Sequence, residues 1–395
     1  MSSHWNRLLW TQRPMGRMDL RCLVFTWAAL LLCGQGVGAE AADRVDAFDL
    51  ARGQRVVHVG TIRSEDAVRI ALTTQAGVNL TIPTASVLEV AYDDAPAELL
   101  LARNQERQRN WAAAIEQYEA ASRSVGREAR LLRRHIEFKR AEMLALRAED
   151  TDRALAERAA GELRRWLQEN PSARQSLRAI EMLHRVDRGA ESGSKDAAAM
   201  LQGLRNTAPQ DPELNVACDW LQIQWDIEAA FTGTDRAEGL RALEPRLAAL
   251  TQKPDRESGS LAPVLVAARA WLAVAVAAGG KVDDALTTLD QLAGQHGSDR
   301  RALAQVHLCR GLVLRGTGRP REALWEFAWV EAVYAEEPTA RALALLQLAE
   351  VQRELDQPRR ARVTLERLKS DSALMDTWPW RLAQRSAQAG APSTP

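Results

Sequence analysis

The chain has 395 residues, of which 46% are apolar and 26% charged, with 52 basic side chains against 52 acidic ones. That length and apolar content suffice for more than one packed domain. The charge balance argues against a dedicated nucleic-acid binder, which carries a basic surface. Lysine is confined to Lys139, Lys195, Lys253, Lys281 and Lys369, so nearly all positive charge is Arg, a bias that reads first as genome composition.

Residues 1–41 read as an address. Arg17 and Arg21 precede an apolar run from Cys22 to Cys33, and Val37-Gly38-Ala39 supplies small residues for cleavage. A charged start, a short apolar core and a small-residue site describe a secretory signal peptide. The run is shorter than the roughly 20 apolar residues of a membrane span. Translation from Met15 or Met18 would shorten the charged region. The alternative is a lipoprotein signal lipidated at Cys33, which the bulky Leu32 opposes. The mature chain is thus expected outside the cytoplasm, periplasmic or envelope-associated, with no transmembrane span. It keeps Cys218 and Cys309, which read as buried helix cysteines in different repeats.

Residues 44–95 alternate with period two. The runs are Val56 to Arg63, Val68 to Leu72, Val78 to Ile82 and Val87 to Tyr92. Ser64-Glu65-Asp66, Gln75-Ala76-Gly77 and Pro83-Thr84-Ala85 punctuate them as turns. Four or five short strands predict a small SH3-like or Sm-like barrel. RNA binding is disfavoured because the segment carries five Arg against seven carboxylates. His58 has no second His or Cys nearby and reads as a strand histidine.

Helical periodicity follows. Residues 96–190 read as first hairpins: Glu98 to Ser122, then Arg127 to Arg147 with Thr151 to Glu169, then Ser172 to Val186 capped by Ser172. Arg130, Arg133, Arg134, Lys139 and Arg140, interleaved with Glu128, Glu137 and Glu142, read as a solvated helix face. An anionic partner is the alternative. A flexible joint covers Glu191 to Lys195. Residues 196–250 give less regular helices, Asp196 to Asn206, Pro212 to Phe231 and Asp235 to Leu250. A polar segment, 252–260, is placed to divide the irregular array from a regular one.

Residues 261–370 carry one pattern three times. Gly280 is followed by Val282, Ala285, Leu289 and Leu292; Gly318 by Pro320, Ala323, Phe327 and Val330; Asp356 by Pro358, Ala361, Leu365 and Leu368. The turn residues are 38 positions apart, a period that marks stacked helical pairs. In the middle unit the helices are expected over Arg301 to Leu314 and Arg319 to Tyr334, with Pro338 stopping the second. Small residues recur at Ala273, Gly311 and Ala349 in the first helices and at Ala285, Ala323 and Ala361 in the second. Arg109, Trp111, Ala114, Tyr118 and Ala121 repeat the offsets once more near residue 100.

This spacing resembles the tetratricopeptide repeat, although the step exceeds that family's usual 34 residues and is like the longer variants of bacterial cell-envelope proteins. The Thr81 to Tyr92 stretch likewise resembles modules that open exported bacterial repeat proteins. The fold class is therefore mainly α, a tetratricopeptide-like α-solenoid preceded by a small β-barrel-like domain. The resemblance implies protein partners on the concave face of the first helices. Carried across by offset, the groove positions are Trp271 and Val274, then Gln305, Leu308 and Arg315, then Gln347, Glu350 and Arg353. The family's carboxylate-clamp Lys and Asn set is absent from these positions. Trp325, Trp329 and Val333 form a second stripe, either an exposed patch that docks a protein or a seat for a capping helix over 376–387 that begins near Trp378-Pro379-Trp380. Residues 388–395 read as a disordered tail.

Metal-binding, nucleophile-elbow and phosphate-loop motifs are missing from the sequence. Asp150 with Asp152, and Asp283 with Asp284, sit at helix starts, where carboxylates favour the positive helix end. No catalytic residue, cofactor or metal is assigned. The expected function is a non-enzymatic envelope scaffold or adaptor for other envelope proteins. The alternative is an envelope assembly or cell-wall accessory factor whose β module binds a glycan or peptide.

Overall fold

The computed structural model describes residues 42–49, 54–148, 153–187, 195–252, 261–334 and 337–389. The expected leader, most of both linkers and the last residues of the tail lie outside the described residues. Strands β1 (Asp43–Asp49), β2 (Gln54–Glu65), β3 (Arg69–Thr74), β4 (Asn79–Pro83) and β5 (Val87–Ala91) form one antiparallel sheet in the order β4-β3-β2-β1-β5. The first four make a meander. A 3₁₀ turn, Thr84–Ser86, then returns the chain so that β5 pairs with β1. Alternation sorts the faces as the sequence suggested: Gly60 and Ile62 are buried, while Val57, Val59 and Thr61 on the other side of β2 are exposed. Val45, Ile70, Leu72, Ile82 and Val90 complete the inner row.

Helices occupy the rest: α1 (Ala97–Arg107), α2 (Trp111–Ser124), α3 (Arg130–Ala148), α4 (Arg153–Glu169), α5 (Ser176–Asp187), α6 (Lys195–Thr207), α7 (Pro212–Thr232), α8 (Arg236–Arg241) and α9 (Glu244–Thr251). The regular units follow as α10 (Ala262–Ala278), α11 (Val282–Gln295), α12 (Arg300–Gly316), α13 (Pro320–Ala332), α14 (Pro338–Glu354) and α15 (Pro358–Ser370), with α16 (Trp378–Ala389) last. The fold is a mainly α array of tetratricopeptide-like hairpins behind a small antiparallel sheet.

The hairpins share one turn. Gly280, Gly318, Asp356 and Arg109 take positive φ of 93°, 75°, 56° and 58°. In each case the next residue donates its N–H to the carbonyl five positions back: Lys281 to Val276, Arg319 to Leu314, Gln357 to Gln352 and Asn110 to Gln105. A left-handed residue followed by that bond satisfies carbonyls that a helix end leaves open. Glycine adopts this conformation without strain, whereas Asp and Arg carry a cost that the surrounding packing holds in place.

The small sites lie where the helices cross. Ala285, Ala323 and Ala361 are 1%, 0% and 1% exposed, and Ala273 and Ala349 are likewise buried. At Gly311 a Cβ would lie 2.5 Å from the Phe327 ring, so the glycine admits the aromatic that fills the hairpin. The last unit departs slightly. Leu365 is half-buried there, and Thr364 turns inward instead, donating to Gln352 Oε1 at 2.9 Å.

Several expectations need correcting. Pro338 opens α14 rather than stopping α13, which ends at Ala332; its missing N–H costs nothing at a first helical position. Ser172 does not cap α5, which starts at Ser176; its carbonyl instead accepts the N–H of Ala67 from the β module. Asp235 to Leu250 is two short helices, α8 and α9. The apolar core divides at α7, upstream of the 252–260 segment where the sequence suggested a division. Leu214, Cys218, Leu221 and Trp225 join the β module and α1–α6. Val216, Ile223, Ile227 and Phe231, on other faces of the same helix, join the later units. The helix thus carries two apolar faces, one for each core, with Asp219, Gln222, Gln224 and Asp226 between them.

Long-range ties fix the ends. Buried Glu65, at the end of β2, accepts from Tyr92 Oη (3.0 Å), Arg134 Nη2 (2.9 Å) and Arg174 Nε (3.0 Å). Arg109 in the first hairpin turn donates to the Ser372 carbonyl at 2.6 Å and lies 3.3 Å from the Asp376 carboxylate, so the start of the array meets the loop before α16.

Gly311→Ala is expected to destabilise the chain by about 1–3 kcal/mol through overpacking against Phe327. Adding Phe327→Leu should return part of that loss in urea unfolding, because the two positions share one space.

Candidate functional site: the inner face of the second array

First helices α10, α12 and α14 lie side by side, as stacked hairpins require. Arg315, near the end of α12, reaches across to α14. Its guanidinium donates to Gln347 Oε1 at 2.5 Å, to the Glu350 carboxylate, and to Glu354 Oε1 at 2.6 and 2.9 Å. Arg236, at the start of α8, meets the same group from the other side, 3.3 Å from Gln347 Oε1 and 3.6 Å from Glu350. The structure thus brings together Arg315, Gln347 and Glu350 from the sequence-derived set. It adds Arg236 and Glu354, which sequence reasoning missed. Glu354 was within reach of that reasoning, since it follows Glu350 by one helical turn on α14. Arg236 had no local signal, because its approach depends on how the chain curls.

The aromatic part of the groove is covered by the chain itself. Trp271 is 5% exposed. Phe231 of α7 meets it edge-on at 6.3 Å and meets Trp378 of α16 at 5.4 Å. The space left among Trp220, Trp271, Gln305, Leu308, Leu343 and Trp378 is about 80 Å³. Val274 and Gln347 are buried as well, and Gln305 is half-buried, while Arg353 is exposed and stands outside the ion-pair cluster. The offset positions all lie on the first helices α10, α12 and α14. Trp271 and Val274, however, are covered core positions rather than open groove positions, because α7 and α16 lie where a bound segment would lie.

Trp325 and Trp329 are elsewhere, on the outer face of α13, and are 68% and 49% exposed. Val363, at the same offset one repeat later, is 56% exposed. Helix α16 packs on α14 and α15, with the Trp380 indole N–H donating to the Lys369 carbonyl at 3.2 Å. It leaves the Trp325–Trp329 stripe uncovered.

Of the basic cluster of α3 expected to be a solvated face, Arg130 is exposed, but the other members turn to partners within the fold. Arg134 holds Glu65, Arg140 pairs with Glu162 at 2.8 Å, and Lys139 pairs with Glu106 and Glu142 at 2.7 and 2.9 Å. Arg178 of α5 completes this group, 2.8 Å from Glu142. The reason is packing: α2, α4, α5 and the sheet surround α3, so its charges find partners across elements. Burial alone would raise the Glu142 carboxyl, but Lys139 and Arg178 bring it down to about 2.

Among the described residues, no group of three or more His, Cys, Asp or Glu is placed to hold a metal ion. No described helix is long and apolar enough to cross a membrane. Cys218 and Cys309 are buried free thiols.

No protein-family model matches the chain, and no curated protein matches it. Among solved structures, the chain is similar to a tetratricopeptide repeat protein from Parabacteroides merdae, with 13% identity over 73% of this chain and 97% of that one and a TM-score of 0.41. It is also similar to the TPR domain of P58(IPK), with 14% identity over 75% of this chain and 80% of that one and a TM-score of 0.24. Both overlays are loose, so the description of the fold rests on the recurrent turn and the buried small sites.

The Glu142 group makes stability pH-dependent with a defined sign. Its carboxyl is lowered from 4.5 to about 2 by folding, so its contribution is complete above 4.5 and is lost as pH falls from 4.5 towards 2. Glu142→Gln should cost on the order of 3 kcal/mol at neutral pH. Its urea midpoint should also fall less than that of the unsubstituted chain between pH 4.5 and 2.5, an interval set by the same shift.

Proposed function

We propose that the protein is a non-enzymatic scaffold of the cell envelope, which holds another envelope protein against the outer face of its hairpin array. One observation carries the choice of surface: Trp325 and Trp329 sit one helical turn apart in water, while the inner face is filled by α7 and α16. Exposed aromatics clustered with an aliphatic neighbour mark contact surfaces, and Trp is enriched among residues that dominate binding energy. The envelope part of the reading is supported by the charged and then apolar pattern within residues 1–41. The non-enzymatic part is supported by the scatter of titratable side chains over separate helices, where they serve as ion-pair partners. The sheet, whose last strand returns to β1 after a 3₁₀ turn, is taken as a small SH3-like module.

The test compares the full chain with its Trp325→Ser/Trp329→Ser variant as baits in envelope extracts. Both side chains are exposed, so unfolding stability should change by less than about 1 kcal/mol. A protein retained in stoichiometric amount by the parent and lost from the variant supports the proposal. Equal retention by both baits would place the contact elsewhere, and retention of a glycan with no protein would favour a cell-wall accessory role.

A further inference from the structure

A cavity of about 800 Å³ lies where the β module, the first hairpin and the C-terminal loop meet, ten times the space left on the inner face. Its volume is that of a small-molecule site. Residues from five separate parts of the chain line it, including Leu88 of β5, Trp111 of α2, Phe138 of α3, Gln175 before α5 and Asp376 before α16.

The charges in its wall are of two kinds. Deep in the wall, Lys139, Glu106, Glu142 and Arg178 pair with one another, with Tyr118 on Glu106 and Glu181 on Arg178. Along α1 and its turn stand Arg103, Arg107 and Arg109. Arg103 and Arg109 meet Glu89 and Asp376 at 3.3 Å, and both carboxylates are substantially exposed. Arg107 is exposed and lines the cavity with no carboxylate partner among the described residues. The rim is therefore cationic and incompletely neutralised. Below it, Phe138 and Leu146 are buried and Trp111 is half-buried, so part of the wall is apolar.

Two further polar groups are unspent. His135 and Gln175 are 7% and 4% exposed and both line the cavity. Gln175 Nε2 lies 3.4 Å from His135 Nδ1, whereas His135 Nε2 and Gln175 Oε1 have no hydrogen-bond partner among the described residues. Buried polar atoms are nearly always paired, and the exceptions concentrate at functional positions.

We propose that this cavity binds an amphiphilic organic anion, with its acid group held by Arg103, Arg107 and Arg109 and its apolar body against Trp111, Phe138 and Leu146. Because the wall joins the first hairpin to the loop before α16, the ligand fastens both ends of the array. The site shares no residue with the Trp325–Trp329 surface, so either assignment can fail alone.

The probe is anilinonaphthalene sulfonate, an aromatic anion, titrated by fluorescence into the folded full chain, with octanoate, octyl phosphate and octanol as competitors. Saturable one-site binding is expected, displaced by the two anions and not by octanol. The better competitor identifies the acid as carboxylate or phosphate. Arg107→Glu should weaken binding about tenfold or more, the loss expected for a charge-assisted hydrogen bond, and Arg107→Lys should weaken it less. Leu88→Glu, at a position 50% exposed and so tolerant of substitution, should weaken it as well. Trp325→Ser/Trp329→Ser should leave it unchanged. The proposal is overturned by non-saturable binding, by displacement with octanol, by unchanged affinity in Arg107→Glu and Leu88→Glu, or by loss of binding in the tryptophan variant.

Discussion

One backbone turn sets the geometry of the helical part. A helix ends, one residue takes a left-handed conformation, and the next donates back across the helix end. The second helix then runs down the side of the first, close enough that only Ala or Gly fits at the crossing. Gly280 and Gly318 meet this demand without strain. Asp356 and Arg109 meet it at φ of 56° and 58°, which shows that the packing dictates the turn even where the residue disfavours it. Repetition of one turn and one crossing gives each hairpin the same relation to the next, and a constant relation produces a curved array.

Curvature has a consequence for surface. The array bends until Arg109 of its first turn reaches Ser372 and Asp376, and until Phe231 and Trp378 fill the inner face of the later units. An open solenoid keeps its concave groove for a partner; this chain spends much of that groove on itself. What remains accessible is the convex side, where Trp325, Trp329 and Val363 stand, and the seam between the two ends, where the large cavity lies. The β module belongs to the same closure, since Glu65, Ala67 and Arg69 tie it to α3, the loop before α5 and the start of α7.

What could be read from the sequence follows from the range of each interaction. The step of 38 residues, the turn positions and the small sites are short-range, because each depends on residues within one hairpin, and all of these lie where spacing put them. Strand alternation in β2 is local in the same sense. Pro338 was misplaced because a proline at a helix boundary stops one helix or starts the next, and sequence alone does not say which. The basic run of α3 looked like a solvated face because its partners, Glu65, Glu106 and Glu162, come from other elements. Trp271 looked like a groove residue because the offset rule knows the repeat and not the chain that folds over it. Of the candidate site, Arg315, Gln347 and Glu350 were legible since they lie on consecutive first helices, and Arg236 was not, since it reaches them from α8.

The dominance of Arg over Lys acquires a structural use in this setting. Arg134 and Arg174 grip Glu65, Arg109 joins the ends, and Arg236 and Arg315 converge on Gln347 and Glu350. In each case one guanidinium bridges elements far apart in sequence, and several donors leave it in different directions, which an ammonium on a flexible stem does less well. Composition bias supplied the residues, and the curled array gives their reach a purpose. Hairpins in an open solenoid contact only their neighbours and can fray independently. Here the Arg bridges and the shared helix α7 couple distant units, so loosening one end removes ion pairs and hydrogen bonds made by the other. That coupling favours unfolding as one cooperative body, and it makes the seam between the ends the place where a small ligand has the greatest leverage on the whole.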